Sequence, residues 1–526
     1  MVSSSGTTGH QPHHRHILPM PNRLFITRRR IGLFLGPILA VVVYFLLPTM
    51  EPKTSYNSKT GVAGSAVGSA GEHAGALVAA ILVLMAVWWM TEVFPLYVTA
   101  LLPLVAFPLC NITSFSSAAA PYASSTIFLF FGGFVLAASM ERWNLHRRVA
   151  IWVLLAVGSK PRGIVFGFMA ATSFLSLWVS NTATAVMMLP IAMSVLKLVE
   201  RVRGSEDKNF RISMVLSIAY GASIGSFGTP IASPPNGIAL GYLKGLDDPI
   251  NITFGQWMAV GIPLWIVALV VAWFLLTFVV LRPAHTEAIP GHREVLQKEL
   301  RSLGAFKGPE RRVGVIFLCT AFAWIFHGYF ESWFNLPISA LTDEVIAIAV
   351  VFVLFLCPIS FKRPGHGLMT WADLRGLSWG ILYLFGGGLS MAAQVDNSGL
   401  AEWIGAQAKG IDRVPVFVLL LACCALTWII TEFMSNTAAA SVLVPIFGLM
   451  AMDIGRSPVF LAIPVAMAAS CAFMMPAGTP PNAVAYSSGM VSINEMNKAG
   501  FLIAIASIFL VTTAMFTYGI KLLGVG

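Results

Sequence analysis

The sequence predicts an all-α polytopic membrane protein with about 11 transmembrane helices, two re-entrant helical hairpins and an inverted-topology repeat. Composition is the first reason: with 57% hydrophobic and 11% charged residues, this 526-residue chain is too apolar for a soluble protein. The second is that apolar runs of about 20 residues, the length a helix needs to cross a bilayer, recur along the chain. The third is a set of polar motifs, present in both halves, that lie inside such runs.

These paired motifs interrupt otherwise apolar sequence. Ser-Asn-Thr-Ala occurs at 180–183 and again at 435–438. A second break follows each copy, Ala-Ser-Pro-Pro-Asn at 232–236 and Gly-Thr-Pro-Pro-Asn at 478–482. Backbone broken by Pro or Gly at membrane depth leaves polar groups unpaired unless protein or a water-filled cavity satisfies them. We therefore expect a polar ligand to bind at these breaks.

The N-terminal segment is polar, and residues 1–30 are predicted to form a disordered cytoplasmic tail. Its histidines, between residues 10 and 16, have a composition that can bind metal, although no cysteine accompanies them. The tail ends in three arginines at 28–30. The first transmembrane helix is predicted over 31–48, and its length argues against a cleaved signal peptide.

After this helix, each half of the chain is predicted to contain the same series of elements. The first repeat, 75–282, comprises scaffold helices at 75–145, a hairpin at 163–196, a broken helix at 212–243 and a helix at 256–281. A cytoplasmic linker is predicted at 283–311. The second repeat, 312–521, comprises scaffold helices at 312–395, a hairpin at 414–450, a broken helix at 458–488 and a helix at 500–520. A Phe-Gly-Gly triplet recurs at matching places, 131–133 and 385–387.

The distribution of basic residues predicts the orientation. Most of the 33 Lys and Arg residues fall in segments predicted to be cytoplasmic, which also explains the net charge of +10 without nucleic acid. With a cytoplasmic N-terminus, an odd number of crossings per half turns the second repeat upside down and leaves the C-terminus external. Inverted repeats with broken helices at the midplane are typical of secondary transporters.

The breaks suit both an anion and a cation. After each break a helix begins, and its free N–H groups and positive dipole end favour a carboxylate, sulfate or phosphate. Before each break a helix ends, where free carbonyls together with the Ser176 and Thr431 hydroxyls suit a hard cation such as Na⁺. None of the four breaks contains Lys or Arg, so bound cations would supply the charge that a di-anion needs.

Other interpretations stay open for individual residues. Ser, Thr and Asn are also common helix-packing residues in membrane bundles. Glu432 could tune the second cation site or carry a proton, and could equally be a structural hydrogen-bond partner. A structural role is favoured for Glu92, and an interfacial one for His327. The six cysteines lie in or beside apolar runs without metal-ligand spacing and are interpreted as small core residues.

The paired motifs, together with residues 91–103 and 140–148, resemble the divalent anion/sodium symporters, a family of sodium-coupled dicarboxylate and citrate carriers. The resemblance covers the chain from about residue 31. It implies a homodimer and an elevator motion, in which a transport domain slides against a dimerising scaffold.

The resemblance also implies the site residues. Substrate contacts would be made by Ser180, Asn181, Thr182, Ser233, Ser435, Asn436, Thr437, Thr479 and Pro480. One Na⁺ site would use Ser176, Ser180, Asn181 and Ala232, and the other Thr431, Met434, Asn436 and Gly478. Ala232 stands where the family more often has Gly, and its methyl group would shift the first cation site or narrow the pocket.

These features lead to one functional hypothesis with rivals. We expect Na⁺-coupled uptake of a C4-dicarboxylate such as succinate, malate or fumarate across the inner (plasma) membrane. Citrate or sulfate as substrate, H⁺ coupling through Glu432 and obligate exchange are the alternatives. An intramembrane enzyme is disfavoured, because the breaks contain hydroxyls and amides but no His-Glu-x-x-His motif and no nucleophile paired with a base.

Overall fold

The chain is predominantly helical, as its composition predicts. The computed structural model describes residues 23–524 apart from 58–61, 66–67, 205–206, 285, 307, 335–339, 361–364 and 408–413. Most of the predicted tail, with its histidines, therefore lies outside the described residues.

The first helix, α1, spans Arg23–Leu46 and begins ahead of the predicted start at residue 31. Its basic end contacts the end of the next helix, α2, which spans Ala74–Thr91. The Arg29 guanidinium donates to the carbonyl oxygen of Val93 over 2.6 Å. A cation at a helix C-terminus is favourable, which explains why this arginine belongs to the folded part.

Ten further helices complete the first half. They are α3 Leu96–Thr99, α4 Leu102–Leu109, α5 Phe115–Ala119, α6 Ser125–Arg142, α7 Leu145–Ala156, α8 Pro161–Ser176, α9 Asn181–Arg203, α10 Lys208–Gly225, α11 Pro234–Lys244 and α12 Phe254–Phe274. A π-helical turn, Leu275–Val280, extends α12. The described residues also include a small antiparallel β-hairpin, β1 Thr54–Asn57 paired with β2 Val62–Ser65, which the sequence did not predict.

The second half contains eleven helices among the described residues. Its helices are α13 His292–Ser302, α14 Gly308–Phe334, α15 Asp343–Leu356, α16 Trp379–Asn397, α17 Leu400–Gln407, α18 Val416–Phe433, α19 Asn436–Asp453, α20 Val459–Ala469, α21 Pro480–Ser487, α22 Ile493–Ala514 and α23 Ile520–Leu522. A π-helical turn, Met515–Gly519, lies between the last two. Helix α13 is short and polar, in keeping with its place in the predicted linker.

Nine helical runs among the described residues are long and apolar enough to cross a membrane. Three of them, α9, α18 and α19, are arms of the predicted hairpins, so length alone does not separate re-entry from crossing. The multi-pass membrane class is confirmed, whereas the count of eleven crossings and the re-entrant path of the hairpins stay predictions.

The four predicted breaks all separate pairs of helices. Helix α8 ends at Ser176 before α9, and α18 ends at Phe433 before α19. Helix α10 ends at Gly225 before α11, and α20 ends at Ala469 before α21. Pro begins both α11 and α21, where its missing N–H and fixed φ suit the first helical position.

The two halves pack crosswise around these breaks. Helix α11 contacts α19, and α21 contacts α9, so each broken helix lies against the hairpin of the other half. The two broken helices also touch directly, because the buried hydroxyls of Ser233 and Ser470 lie 3.1 Å apart. The polar breaks of both halves therefore meet in one region.

One face of α11 lies close against α6 and α16. A Cβ atom built at Gly237 would lie 2.5 Å from the Phe130 ring and 2.9 Å from the Phe385 ring, and one at Gly241 would lie 2.9 Å from Leu389. The two phenyl rings contact each other edge to face, with centroids 4.8 Å apart. Glycine is therefore required here by the close approach of the scaffold side chains.

The six cysteines are all free, and all lie in the described part of the chain. Cys423, Cys424 and Cys471 are buried, as predicted for core residues. Cys319, in contrast, is exposed on α14, because a helix at the surface of the bundle can present apolar residues outward. The core interpretation is therefore wrong for this cysteine.

Candidate ion- and substrate-binding site

The first hairpin break is capped by its own motif. Ser180 precedes α9, and its hydroxyl accepts the N–H of Ala183 over 3.3 Å, as an N-cap residue does. Ser180 and Thr182 are exposed, whereas Asn181 is half-buried. The Asn181 side-chain amide donates to the Ser226 hydroxyl over 2.8 Å, which joins the hairpin to the break of the first broken helix.

An asparagine closes each broken helix in the same way. The amide of Asn236 donates to the carbonyl oxygens of Ser226 (2.7 Å) and Thr229 (3.0 Å). The amide of Asn482 donates to those of Ala472 and Met475, both over 3.1 Å. These six residues match position by position when the two Pro-Pro-Asn motifs are aligned. The site residues inferred from sequence did not include either asparagine, although the repeated Pro-Pro-Asn spacing was the signal that could have found them.

The first candidate cation site contains buried oxygen atoms without hydrogen-bond partners. Among the described residues, Ser176 Oγ and Asn181 Oδ1 have no partner, and Ser176 is fully buried. Leaving a buried acceptor unpaired costs about 1–3 kcal/mol, so such groups in native proteins usually face an ion or a water. Ala232, which also belongs to this predicted set, is buried in the break before α11. The donor set fits a Na⁺ ion.

The second candidate cation site is a cluster of oxygen atoms around Asn436. The head of its side chain lies 3.1 Å from the carbonyl oxygens of both Gly478 and Ala469 and 2.8 Å from the Thr431 hydroxyl. The Thr431 hydroxyl in turn donates to Ala469 over 2.8 Å. With its NH₂ group turned inward, the Asn436 amide can donate to these oxygen atoms without an ion. A cation bound here would be held by the same atoms with the amide oxygen facing inward. Met434, the fourth predicted member, is buried.

Glu432 follows Thr431 of this cluster in the sequence, and its side chain forms hydrogen bonds with the backbone of the break after α20. Its carboxylate accepts the backbone N–H groups of Phe473 (3.0 Å), Met474 (3.1 Å) and Met475 (3.0 Å), which lie in the break after α20. The Trp428 indole N–H donates to it as well, over 3.0 Å. Because four N–H donors occupy the oxygen atoms of this carboxylate, Glu432 is better interpreted as a structural hydrogen-bond partner than as a proton carrier.

The predicted substrate residues differ in exposure. Ser180, Thr182 and Pro480 are exposed, Asn181, Ser435 and Asn436 are half-buried, and Ser233, Thr437 and Thr479 are buried. The Thr479 hydroxyl accepts the N–H of Asn482 over 3.3 Å and so caps α21. Within the described residues, hydrogen bonds join each hairpin to a broken helix, but none joins the two Ser-Asn-Thr motifs to each other. Their joint contact with a substrate stays a prediction.

The chain has apolar helices long enough to cross a membrane, and four polar breaks divide some of them into pairs. Helix N-termini and buried oxygen atoms lie at these breaks. This combination defines a multi-pass membrane transport protein. The family model described as the sodium:sulfate symporter transmembrane region matches residues 69–525. The chain belongs to this family, as the resemblance of its motifs predicted.

Curated relatives agree with this assignment. A protein of Staphylococcus saprophyticus named sodium-dependent dicarboxylate transporter SdcS is 34% identical over 509 residues, covering 96% of this chain and 94% of that protein. The protein of the same name from Staphylococcus aureus strain MRSA252 is 35% identical over 499 residues, covering 94% and 91%. The similarity therefore extends over nearly the full length of both chains.

Two solved structures share the fold at low identity. The YdaH transporter of Alcanivorax borkumensis aligns with a TM-score of 0.53 at 16% identity, over 94% of this chain and 98% of its own. MtrF of Neisseria gonorrhoeae aligns with a TM-score of 0.56 at 13% identity, over 96% of both chains. At such identities the likeness concerns the fold alone.

Proposed function

We propose that this protein is a secondary active transporter that carries C4-dicarboxylates together with Na⁺. The observation that carries the proposal is the pair of oxygen clusters, one at each hairpin break, each beside the start of a helix. Family membership and the names of the Staphylococcus relatives support the same class of substrate and coupling ion.

The proposed cation sites are those that the resemblance to the family implies, and the contacts at the breaks support them. Ser176, Ser180, Asn181 and Ala232 hold one Na⁺, and Thr431, Met434, Asn436 and Gly478 hold the other. Neutral oxygen ligands suit Na⁺, which is a hard cation with flexible coordination. Asn181 and Asn436 each begin a helix and belong to a cluster, so a bound ion also orients the start of that helix.

The anion is assigned to the starts of helices α9, α11, α19 and α21. The substrate-binding residues proposed there are Ser180, Asn181, Thr182, Ser233, Ser435, Asn436, Thr437, Thr479 and Pro480. Except for Pro480, which has no N–H group, these residues donate from hydroxyl, amide or backbone N–H groups to carboxylate oxygens without adding charge. The adjacent Na⁺ ions supply the positive charge, so the di-anion binds tightly only when Na⁺ is bound.

This charge balance explains how uptake can be driven. Each net positive charge moved inward gains about 2.3 kcal/mol per 100 mV of membrane potential. Carrying more Na⁺ than substrate charge therefore allows accumulation against a gradient. The proposed setting is the plasma membrane, with a cytoplasmic N-terminus, a homodimeric assembly and an elevator motion of the breaks and hairpins relative to the scaffold helices.

Uptake of labelled succinate into proteoliposomes tests the proposal. We expect accumulation with an inward Na⁺ gradient and none when K⁺ replaces Na⁺. Asn436→Ala should abolish this uptake, whereas Asn209→Ala, whose amide donates only to the Arg282 carbonyl at an exposed position, should retain it. Uptake that needs internal dicarboxylate and ignores Na⁺ would identify an exchanger, and competition by citrate or sulfate alone would identify a different substrate.

A further inference from the structure

One ion pair joins the substrate-binding elements to the scaffold. Lys244, the last residue of α11, donates from Nζ to Glu344 Oε1 in the first turn of α15. Both side chains are mostly buried, with 22% and 13% of their surface exposed. An ion pair removed from water in this way is screened less by salt than a surface pair.

Two further contacts lie at the same end of α11. Lys53 Nζ lies 3.3 Å from Asp247 Oδ2, on the segment between α11 and α12, and 2.8 Å from Asp396 Oδ1 on α16. Asp343 Oδ2 accepts the N–H of Phe254 at the start of α12 over 2.8 Å. The segment from α11 to α12 is thus held to neighbouring elements at three points.

Asp343 has a second partner that fixes its own position. Its Oδ1 lies 2.9 Å from His327 Nε2 on α14. Because α14 and α15 are adjacent scaffold helices, this contact stays within the scaffold. The carboxylate that receives the start of α12 is therefore anchored on the scaffold side, as Glu344 is by its place in α15.

The corresponding end of α21 is built differently. When the two Pro-Pro-Asn motifs are aligned, Met490 corresponds to Lys244, so this position itself cannot form an ion pair. Met490 instead lines a cavity of about 260 Å³, and the same cavity is lined by the charged residues Lys197, Glu200, Asp207 and Arg211. One end of the repeat is thus joined to the scaffold by the ion pair of Lys244, whereas the uncharged Met490 occupies the corresponding position at the other end.

We propose that Lys244 and Glu344 are positioning residues that form a latch, made in one end state of transport and broken once in each cycle. The inference rests on the proposed function, because it requires the broken helices to move relative to α15. Separating the two partly buried charges before water solvates them costs free energy, and this cost adds to the barrier for leaving the latched state. The latch therefore sets the rate of transport without touching substrate.

Chemical cross-linking tests whether the pair separates. The variant Lys244→Cys/Glu344→Cys is made with Cys110, Cys319 and Cys357 replaced by serine, reconstituted and treated with a bifunctional maleimide. We expect cross-linking to reduce Na⁺-driven succinate uptake at least tenfold, because the linked helices cannot part. Na⁺-dependent thermal stabilisation of the same sample should persist, since the binding clusters are intact.

A second pair provides the matched control. Lys208 Nζ lies 2.7 Å from Glu495 Oε1, and this contact joins α10 to α22, neither of which belongs to the scaffold helices. Cross-linked Lys208→Cys/Glu495→Cys should retain uptake. Retained uptake in the cross-linked Lys244→Cys/Glu344→Cys protein would overturn the latch. Absence of uptake before cross-linking, in the parent protein as well, would instead count against the proposed function.

Charge exchange gives an independent measurement. Lys244→Glu places two carboxylates together, which raises the free energy of the latched state and slows entry into it, so uptake should slow several-fold. Adding Glu344→Lys should restore most of the loss. Failure of the double exchange to improve on Lys244→Glu would also overturn the latch.

Discussion

Glu432 shows how a single charged residue can serve the backbone of a binding site. Its carboxylate accepts three consecutive N–H groups that the break after α20 leaves without helical partners. In the first half, Leu177 occupies the aligned position, and there the Thr229 hydroxyl donates to the Leu177 carbonyl over 2.5 Å. The two halves thus stabilise equivalent breaks by different chemistry.

This arrangement predicts the effect of Glu432→Gln. The NH₂ group of Gln cannot accept N–H groups, so we expect a loss of about 2–4 kcal/mol in stability and several-fold slower uptake. Because the role is structural, the pH profile of the residual uptake should match that of the parent protein. Glu402→Gln, at an exposed position on α17, serves as the control and should behave like the parent. A flattened pH profile in Glu432→Gln would instead favour proton transfer.

His292, on α13 outside the membrane-spanning helices, makes a pH-dependent contribution to the stability of the fold. The side chain is 2% exposed, neither ring nitrogen has a hydrogen-bond partner among the described residues, and burial lowers its pKa below the usual 6.5. As pH falls below about 6.5, the unfolded chain therefore binds this proton more readily than the folded one, and stability decreases.

The corresponding measurement is the melting temperature of the purified protein at pH 7.5 and 5.5. We expect a decrease at the lower pH, and a smaller decrease in His292→Asn, which cannot be protonated. His73→Asn, at an exposed position, is the matched control and should show the full decrease. An equal decrease in parent and His292→Asn would assign the pH effect to other groups, such as His146, whose pKa burial also lowers.

Among the contacts between helices, that of Gly237 and Gly241 on α11 with α6 and α16 decides how closely α11 can approach these helices. Gly237→Ala brings a methyl group within 2.5 Å of the Phe130 ring, so α11 must move away or the ring must turn. We expect at least tenfold slower uptake and a lower melting temperature, since overpacking costs about 1–3 kcal/mol. Gly328→Ala, on α14 with no atom within 4 Å of its added Cβ, should be neutral. Unchanged uptake in Gly237→Ala would show that this contact is not close during transport.

The breaks were the elements that sequence predicted best. Repetition of Ser-Asn-Thr and Pro-Pro-Asn located all four, because Ser at the N-cap and Pro in the first turn both favour the start of a helix. The partners of the breaks could not be predicted in this way. That Asn181 donates to Ser226, or that Ser233 meets Ser470, depends on how distant helices cross. The start of α1 was missed because its arginines are polar, and only their contact with the end of α2 explains their helical state.

At the scale of the whole molecule, Na⁺ should stabilise the fold as well as drive uptake. Ligand that binds only the native state adds RT ln(1 + [L]/Kd), about 2.7 kcal/mol at one hundred times Kd. We expect the melting temperature to rise with NaCl and not with choline chloride at equal ionic strength. Asn181→Ala and Asn436→Ala should each remove part of the rise, and Asn209→Ala should keep it. A rise that is identical in all three variants would place the ions elsewhere.

The chemical difference between Lys244 and Met490 affects the relative rates of transport in the two directions across the membrane. A repeat with identical contacts at both ends would have end states of equal energy, and empty carriers would divide evenly between them. The ion pair of Lys244 at one end and the uncharged Met490 at the other remove that equality. Gradients alone still fix the final distribution of substrate, but influx and efflux under mirrored gradients should proceed at unequal speeds. The carrier would then transport substrate faster in one direction than in the other, and weakening the Lys244–Glu344 pair would bring the rates of influx and efflux closer together.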